Sequence, residues 1–150
     1  MYVTKKYPIK MKDLYYAISN MFLNDYNQNT NQQLSDKDIK NGLEYTMSFG
    51  KNNENQSTVI LREYEKPSVY QTEVVSNRGR TSIRYELNQI SDTETKITYS
   101  EETKLPNIFS KINYKILYLF MKKNLNNKME NTLDAIYKVA LELKEKESEN

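Results

Sequence analysis

The sequence predicts a single α+β domain: a short strand, a helical segment, an antiparallel β-sheet and a long C-terminal helix. Between residues 42 and 103 apolar and polar residues alternate, which is the period of a half-buried strand. Short polar turns interrupt this region, so we expect consecutive strands to pair as an antiparallel meander. From residue 107 to residue 146 apolar residues recur every three or four positions, which is the period of a helix.

The N-terminal segment is predicted to contain a strand and a helix. Residues 2–7 alternate as a short strand does, and Pro8 ends it. Residues 10–26 are predicted to be helical, because apolar residues at helical spacing line one face. These residues are Leu14, Ala17, Ile18, Met21 and Phe22. Residues 27–33 are polar and have no period, which predicts a loop.

The middle of the chain is predicted to form one short helical turn and five strands. Ser35, with Asp38 three residues later, has the spacing of a capping box. The strands that follow are expected at residues 42–49, 57–65, 69–76, 81–90 and 95–103. Gly79 lies in the connection between the third and fourth of these, where it is free to take a positive φ.

The C-terminal tract carries two apolar stripes that do not lie in line. The first stripe contains Ile108, Ile112, Ile116, Leu119 and Phe120. The second contains Leu125, Met129, Leu133, Ile136, Ala140 and Leu143. The apolar face rotates by roughly a third of a turn between them, which predicts a bend or a break within residues 121–127. The charged residues 143–150 are expected to form a solvated tail.

Several stretches and the order of elements resemble a known superfamily. Residues 67–70, 79–87 and 93–99 resemble its strands, and residues 129–136 resemble its C-terminal helix. On these stretches the chain resembles the START-like, or SRPBCC, helix-grip superfamily, which includes birch-pollen-allergen-like proteins and polyketide cyclases. Within it, the chain is similar to a small bacterial family of unassigned function from low-GC Gram-positive organisms.

The resemblance implies a curved sheet of about six strands wrapped around the C-terminal helix, with a hydrophobic cavity between them. It also implies non-catalytic binding of a small apolar or amphipathic molecule, either lipid-like or polyketide-like. Two alternatives stay open: a protein-interaction module with a packed core, and a cyclase- or hydrolase-type enzyme using Tyr and Glu. The candidate ligand-binding residues are Tyr45, Met47, Phe49, Tyr85, Leu87, Tyr99, Glu101, Ile116 and Phe120.

Glu101 is the acidic residue whose environment matters most. It shares strand parity with Ile97 and Tyr99, so an unbroken strand directs it inward. There it is suited to orient a ligand hydroxyl or to act as an acid or base. The alternative is that the strand bulges or ends, which leaves Glu101 in water at the edge of the sheet.

Composition excludes several kinds of chemistry. The chain has no Cys and no His, so thiolate and imidazole nucleophiles, bases and metal ligands are excluded. We expect no metal and no cofactor, and any catalysis would fall to Asp, Glu, Lys, Tyr or Ser. The net charge of +2 is not the basic excess of a nucleic-acid-binding protein. No apolar run is long enough to span a membrane, and the N-terminus lacks a signal-peptide pattern, so we expect a cytoplasmic location.

Residues 108–121 carry more apolar surface than one contact with the core consumes. A homodimer contact through this segment is the first interpretation. A gate over the cavity, a peripheral membrane contact and packing against residues 10–26 are the alternatives.

Overall fold

The computed structural model describes residues 1–104 and 114–149, with side chains outside Phe49, Asn53 and residues 114–124. Its strands are β1 (Tyr2–Tyr7), β2 (Glu44–Phe49), β3 (Asn55–Glu65), β4 (Val69–Ser76), β5 (Gly79–Ser91) and β6 (Glu94–Lys104). Its helices are α1 (Met11–Thr30) and α2 (Tyr114–Glu149). Within these residues no helix is both long and apolar enough to cross a membrane.

The strands form one antiparallel sheet in the order β1-β6-β5-β4-β3-β2. The predicted meander from β2 to β6 is confirmed, and β1 adds to its far side by pairing with β6. The first and last strands are therefore neighbours. Observed strands extend beyond several predicted ends: β3 begins at Asn55, and β5 and β6 approach each other across a tight turn.

The hydrophobic core lies between the sheet and the two helices. The predicted face of α1 is confirmed at four of its five positions, where Leu14, Ala17, Ile18 and Phe22 are buried. The fifth position is wrong, because Met21 is 41% exposed. The second stripe of the C-terminal helix is confirmed: Met129, Leu133, Ile136 and Ala140 are buried, and Leu125 and Leu143 pack against them.

Helix α1 extends four residues beyond its predicted end, so the predicted loop at residues 27–33 is partly wrong. The extra turn is held by side chains rather than by an apolar stripe. The Thr30 hydroxyl donates to the Tyr26 carbonyl at 2.7 Å, and the side chain of Asn27 bonds the backbone of Leu34. Asn31 ends the helix in the left-handed conformation, at φ 57°.

The predicted capping box at Ser35 is confirmed, because the Asp38 carboxylate accepts from both the Ser35 amide, at 2.8 Å, and the Ser35 hydroxyl. It starts a short turn at Asp36–Asp38 that leads into β2.

The predicted break in the C-terminal helix is wrong, because α2 runs without interruption through residues 121–127. The rotation of the apolar face between the two stripes does not interrupt the helix, and α2 contacts both α1 and β1. A bend of the axis there stays a prediction. Residues 107–113, where the helix was expected to begin, lie outside the described residues.

Candidate functional site

A cavity of about 230 Å³ opens on the concave side of the sheet, under α1. Helix α1 supplies four residues at helical spacing and α2 supplies one, while the remaining residues come from inward-facing positions of β2 to β5. The lining consists of Ile18, Met21, Phe22, Asp25, Tyr45, Met47, Val59, Tyr70, Thr72, Val74, Ile83, Tyr85 and Ile136. This lining is mostly apolar, with a small number of polar groups, as is typical of small-molecule sites.

A row of tyrosines crosses the sheet along one side of this cavity. Tyr70 pairs with Tyr85, and Tyr85 with Tyr99, in the registers of β4, β5 and β6. The Tyr85 and Tyr99 rings are stacked with centroids 4.8 Å apart. Phe22 of α1 continues the row towards Tyr45, with ring centroids 5.6 Å apart. Cross-strand aromatic pairs of this kind stabilise the sheet and leave their hydroxyls as the polar groups of an apolar surface.

Glu101 lies at the end of this row. Strand β6 continues past it to Lys104, so the expected alternative in which the strand bulges or ends there is wrong. The residue is partly buried, and its carboxylate accepts a hydrogen bond from the Tyr99 hydroxyl at 3.0 Å. Burial, the neighbouring Tyr85 and the Glu101 carboxylate raise the pKa of Tyr99. Burial also raises the pKa of Tyr85, so the phenols of Tyr85 and Tyr99 are both protonated near neutral pH.

Asp25 lies in the lining of the cavity, on α1, beside Tyr45. The residue is exposed as a whole, but desolvation raises the pKa of its carboxyl, and the Tyr45 hydroxyl acts in the opposite direction. Burial and the Asp25 charge raise the pKa of Tyr45. The Asp25 carboxyl and the Tyr45 hydroxyl therefore form a small polar region at the rim of the cavity.

The predicted site residues divide into three groups. Tyr45, Met47 and Tyr85 line the cavity. Leu87 is only 2% exposed in the core, and Tyr99 and Glu101 lie beyond Tyr85, outside the lining. The side chains of Phe49, Ile116 and Phe120 lie outside the described residues.

Sequence reasoning missed the part of the lining that α1 and β4 supply. Met21 and Asp25 follow Ile18 at spacings of three and seven, which places them on one face of α1. Thr72 and Val74 share strand parity with Tyr70. Both signals are present in the sequence, but two successive valines, Val74 and Val75, leave the face of β4 ambiguous, and the apolar spacing of α1 predicts only a contact with the core.

The comparisons with known proteins identify the family. Residues 1–122 match the family described as "Domain of unknown function (DUF3284)". The chain belongs to the DUF3284 family. None of the curated protein sequences matches this chain.

Solved structures show that this DUF3284 chain has the helix-grip fold predicted from its sequence. A protein of unknown function, SA2116 from Staphylococcus aureus, is 16% identical with a TM-score of 0.61, and the match covers 97% of this chain and 96% of that one. Norcoclaurine synthase from Thalictrum flavum, in complex with dopamine and hydroxybenzaldehyde, is 12% identical with a TM-score of 0.61, covering 95% and 86%. Mll3558 from Rhizobium loti is 11% identical with a TM-score of 0.56, covering 91% and 94%. At these identities the likeness concerns the fold.

Proposed function

We propose that this protein binds a small apolar or amphipathic molecule, without catalysis, in the cavity between α1 and the sheet. The observation that carries this proposal is an open space of about 230 Å³ lined mainly by aliphatic and aromatic side chains. Small-molecule sites are usually formed before the ligand binds, so a space between the sheet and its helices accepts such a ligand without rearrangement of the fold.

The size and polarity of the cavity limit the ligand. Pockets for drug-sized ligands measure roughly 300–1,000 Å³, so this cavity suits a smaller molecule, of two or three rings or with a short acyl chain. The Tyr45, Tyr70 and Tyr85 side chains line it, so that aromatic rings supply apolar contact and their phenols provide hydrogen-bonding groups. An amphipathic ligand satisfies both kinds of contact.

The open cavity favours ligand binding over the alternative of an interaction module with a packed core. The alternative of an enzyme using Tyr and Glu receives less support, because the Tyr99–Glu101 pair lies beyond Tyr85 rather than in the lining. A reacting group must come within hydrogen-bond reach of its substrate.

Native mass spectrometry of the purified protein, followed by organic extraction, tests for a bound molecule. In parallel, the neutral dye N-phenyl-1-naphthylamine, which fluoresces in apolar surroundings, reports on the cavity. Val74→Trp fills the cavity from β4, whereas Val75→Trp places the same ring on the opposite face of that strand.

We expect dye fluorescence with the wild type and with Val75→Trp, and its loss with Val74→Trp. Dye that does not bind the wild type, or that binds the two tryptophan variants equally, would contradict the proposal.

A further inference from the structure

The described lining of the cavity carries a negative charge and no positive charge. Among the described lining residues Asp25 is the charged side chain, and neither Lys nor Arg accompanies it. The other polar groups are Thr72 and the phenols of Tyr45, Tyr70 and Tyr85, which are neutral near pH 7 because burial raises their pKa values. The site therefore presents a negative charge at one end and uncharged groups elsewhere.

The Asp25 carboxylate lies beside the Tyr45 phenol at the rim of the cavity, in a position where it can also contact a ligand. Asp25 follows Ile18 by seven residues on the same face of α1, so its side chain reaches the rim while Ile18 lies deeper. The ion pairs of the described residues use Glu63, Glu73, Glu86, Asp36 and Asp134 as their acids, and Asp25 is not among them. A partly desolvated carboxylate gains when a bound ligand supplies a cation.

We infer that the ligand carries an amine, and that Asp25 binds this ammonium group at the rim while the apolar part occupies the cavity. This inference rests on the proposed function and specifies its substrate class. A carboxylate or phosphate in the same position would face Asp25 with a like charge, so fatty acids and phosphorylated compounds are disfavoured.

A matched series of ligands tests the inference. Hexylamine, 1-hexanol and hexanoate share one apolar chain and differ in the charge of the head group. Each is titrated against wild-type protein loaded with N-phenyl-1-naphthylamine, and the concentration that displaces half of the dye is measured. We expect hexylamine to be effective at a concentration roughly 3- to 10-fold lower than 1-hexanol, and hexanoate to be the weakest.

Three variants connect the preference to Asp25. Asp25→Asn should abolish the advantage of hexylamine over 1-hexanol, and Asp25→Lys should shift the preference towards hexanoate. Asp92→Asn, in the turn between β5 and β6, changes the net charge equally and should keep the wild-type preference. Because Asp25 is exposed, these variants are expected to fold, and circular dichroism verifies it.

The outcomes separate the inference from the proposed function. If 1-hexanol displaces the dye but hexylamine has no advantage, or if its advantage survives Asp25→Asn, the inference is overturned and ligand binding stands. If the dye does not bind the wild-type protein, the proposed function fails and the inference fails with it.

Discussion

Individual buried tyrosines show how this polar chain forms a core without tryptophan or cysteine. Their rings supply apolar area, while their hydroxyls bond to specific groups: Tyr15 donates to the Val69 carbonyl at 2.8 Å, and Tyr7 donates to the Asp134 carboxylate at 2.6 Å. Thr95, fully buried in β6, similarly donates to the carbonyl of Ile9. These hydrogen bonds connect the sheet to both helices and to the β1–α1 loop.

The contacts of the Asp134 carboxylate predict a pH-dependent contribution of this one residue to stability. The carboxylate accepts from Lys5 and from Tyr7, both at 2.6 Å, and these bonds lower its pKa below 3.8. A lowered folded-state pKa stabilises the fold above the unfolded-state value, and this stabilisation disappears as the pH falls through the folded-state value. The free energy of unfolding of Asp134→Asn should therefore lie about 1 kcal/mol below wild type at pH 6, since the group is half exposed.

Urea unfolding between about pH 2 and pH 7 measures this difference, which should shrink below about pH 4. Asp92→Asn is the control and should stay within about 0.5 kcal/mol of wild type at pH 6. A difference for Asp134→Asn that is constant down to about pH 2 would contradict the assignment.

Among the helices and strands, those with a regular spacing of apolar residues were predicted most accurately. Strand β4 was predicted with its observed ends, and the shared face of Ile97, Tyr99 and Glu101 on β6 was correct, because alternation on β6 is regular. The last turn of α1 was missed, because Asn27 and Thr30 hold it through hydrogen bonds that leave no hydrophobic pattern. The continuity of α2 was missed, because an apolar face that rotates on a helical wheel does not by itself require a break in the helix.

Helix α2 is expected to stabilise the fold through its second stripe. Leu133 is 0% exposed, so Leu133→Ala removes buried apolar volume and should lower the free energy of unfolding by about 2–5 kcal/mol. Leu141→Ala, on the same helix at 38% exposure, is the matched control and should cost less than about 1 kcal/mol. Urea melts followed by circular dichroism measure both, and equal losses would show that the stripe is not core.

For the whole molecule, the sequence predicted the fold more completely than the site. The element order alone indicated a sheet with a C-terminal helix. Tyr45, Met47 and Tyr85 line the cavity, and their role in binding a ligand stays a prediction. Asp25 was not identified, because a single acid on a helix has no signature until the opposing strands are in place. The homodimer contact at residues 108–121 and the cytoplasmic location stay predictions.

The central claim is that the cavity between α1 and the sheet binds a small molecule. Amide proton–nitrogen correlation spectra, recorded while N-phenyl-1-naphthylamine is titrated into the isotope-labelled protein, test it most directly. We predict saturable shifts that concentrate at Ile18, Tyr45, Val74 and Tyr85, around the cavity. Shifts that do not saturate, or that concentrate on residues of the opposite face such as Val75, would contradict the claim.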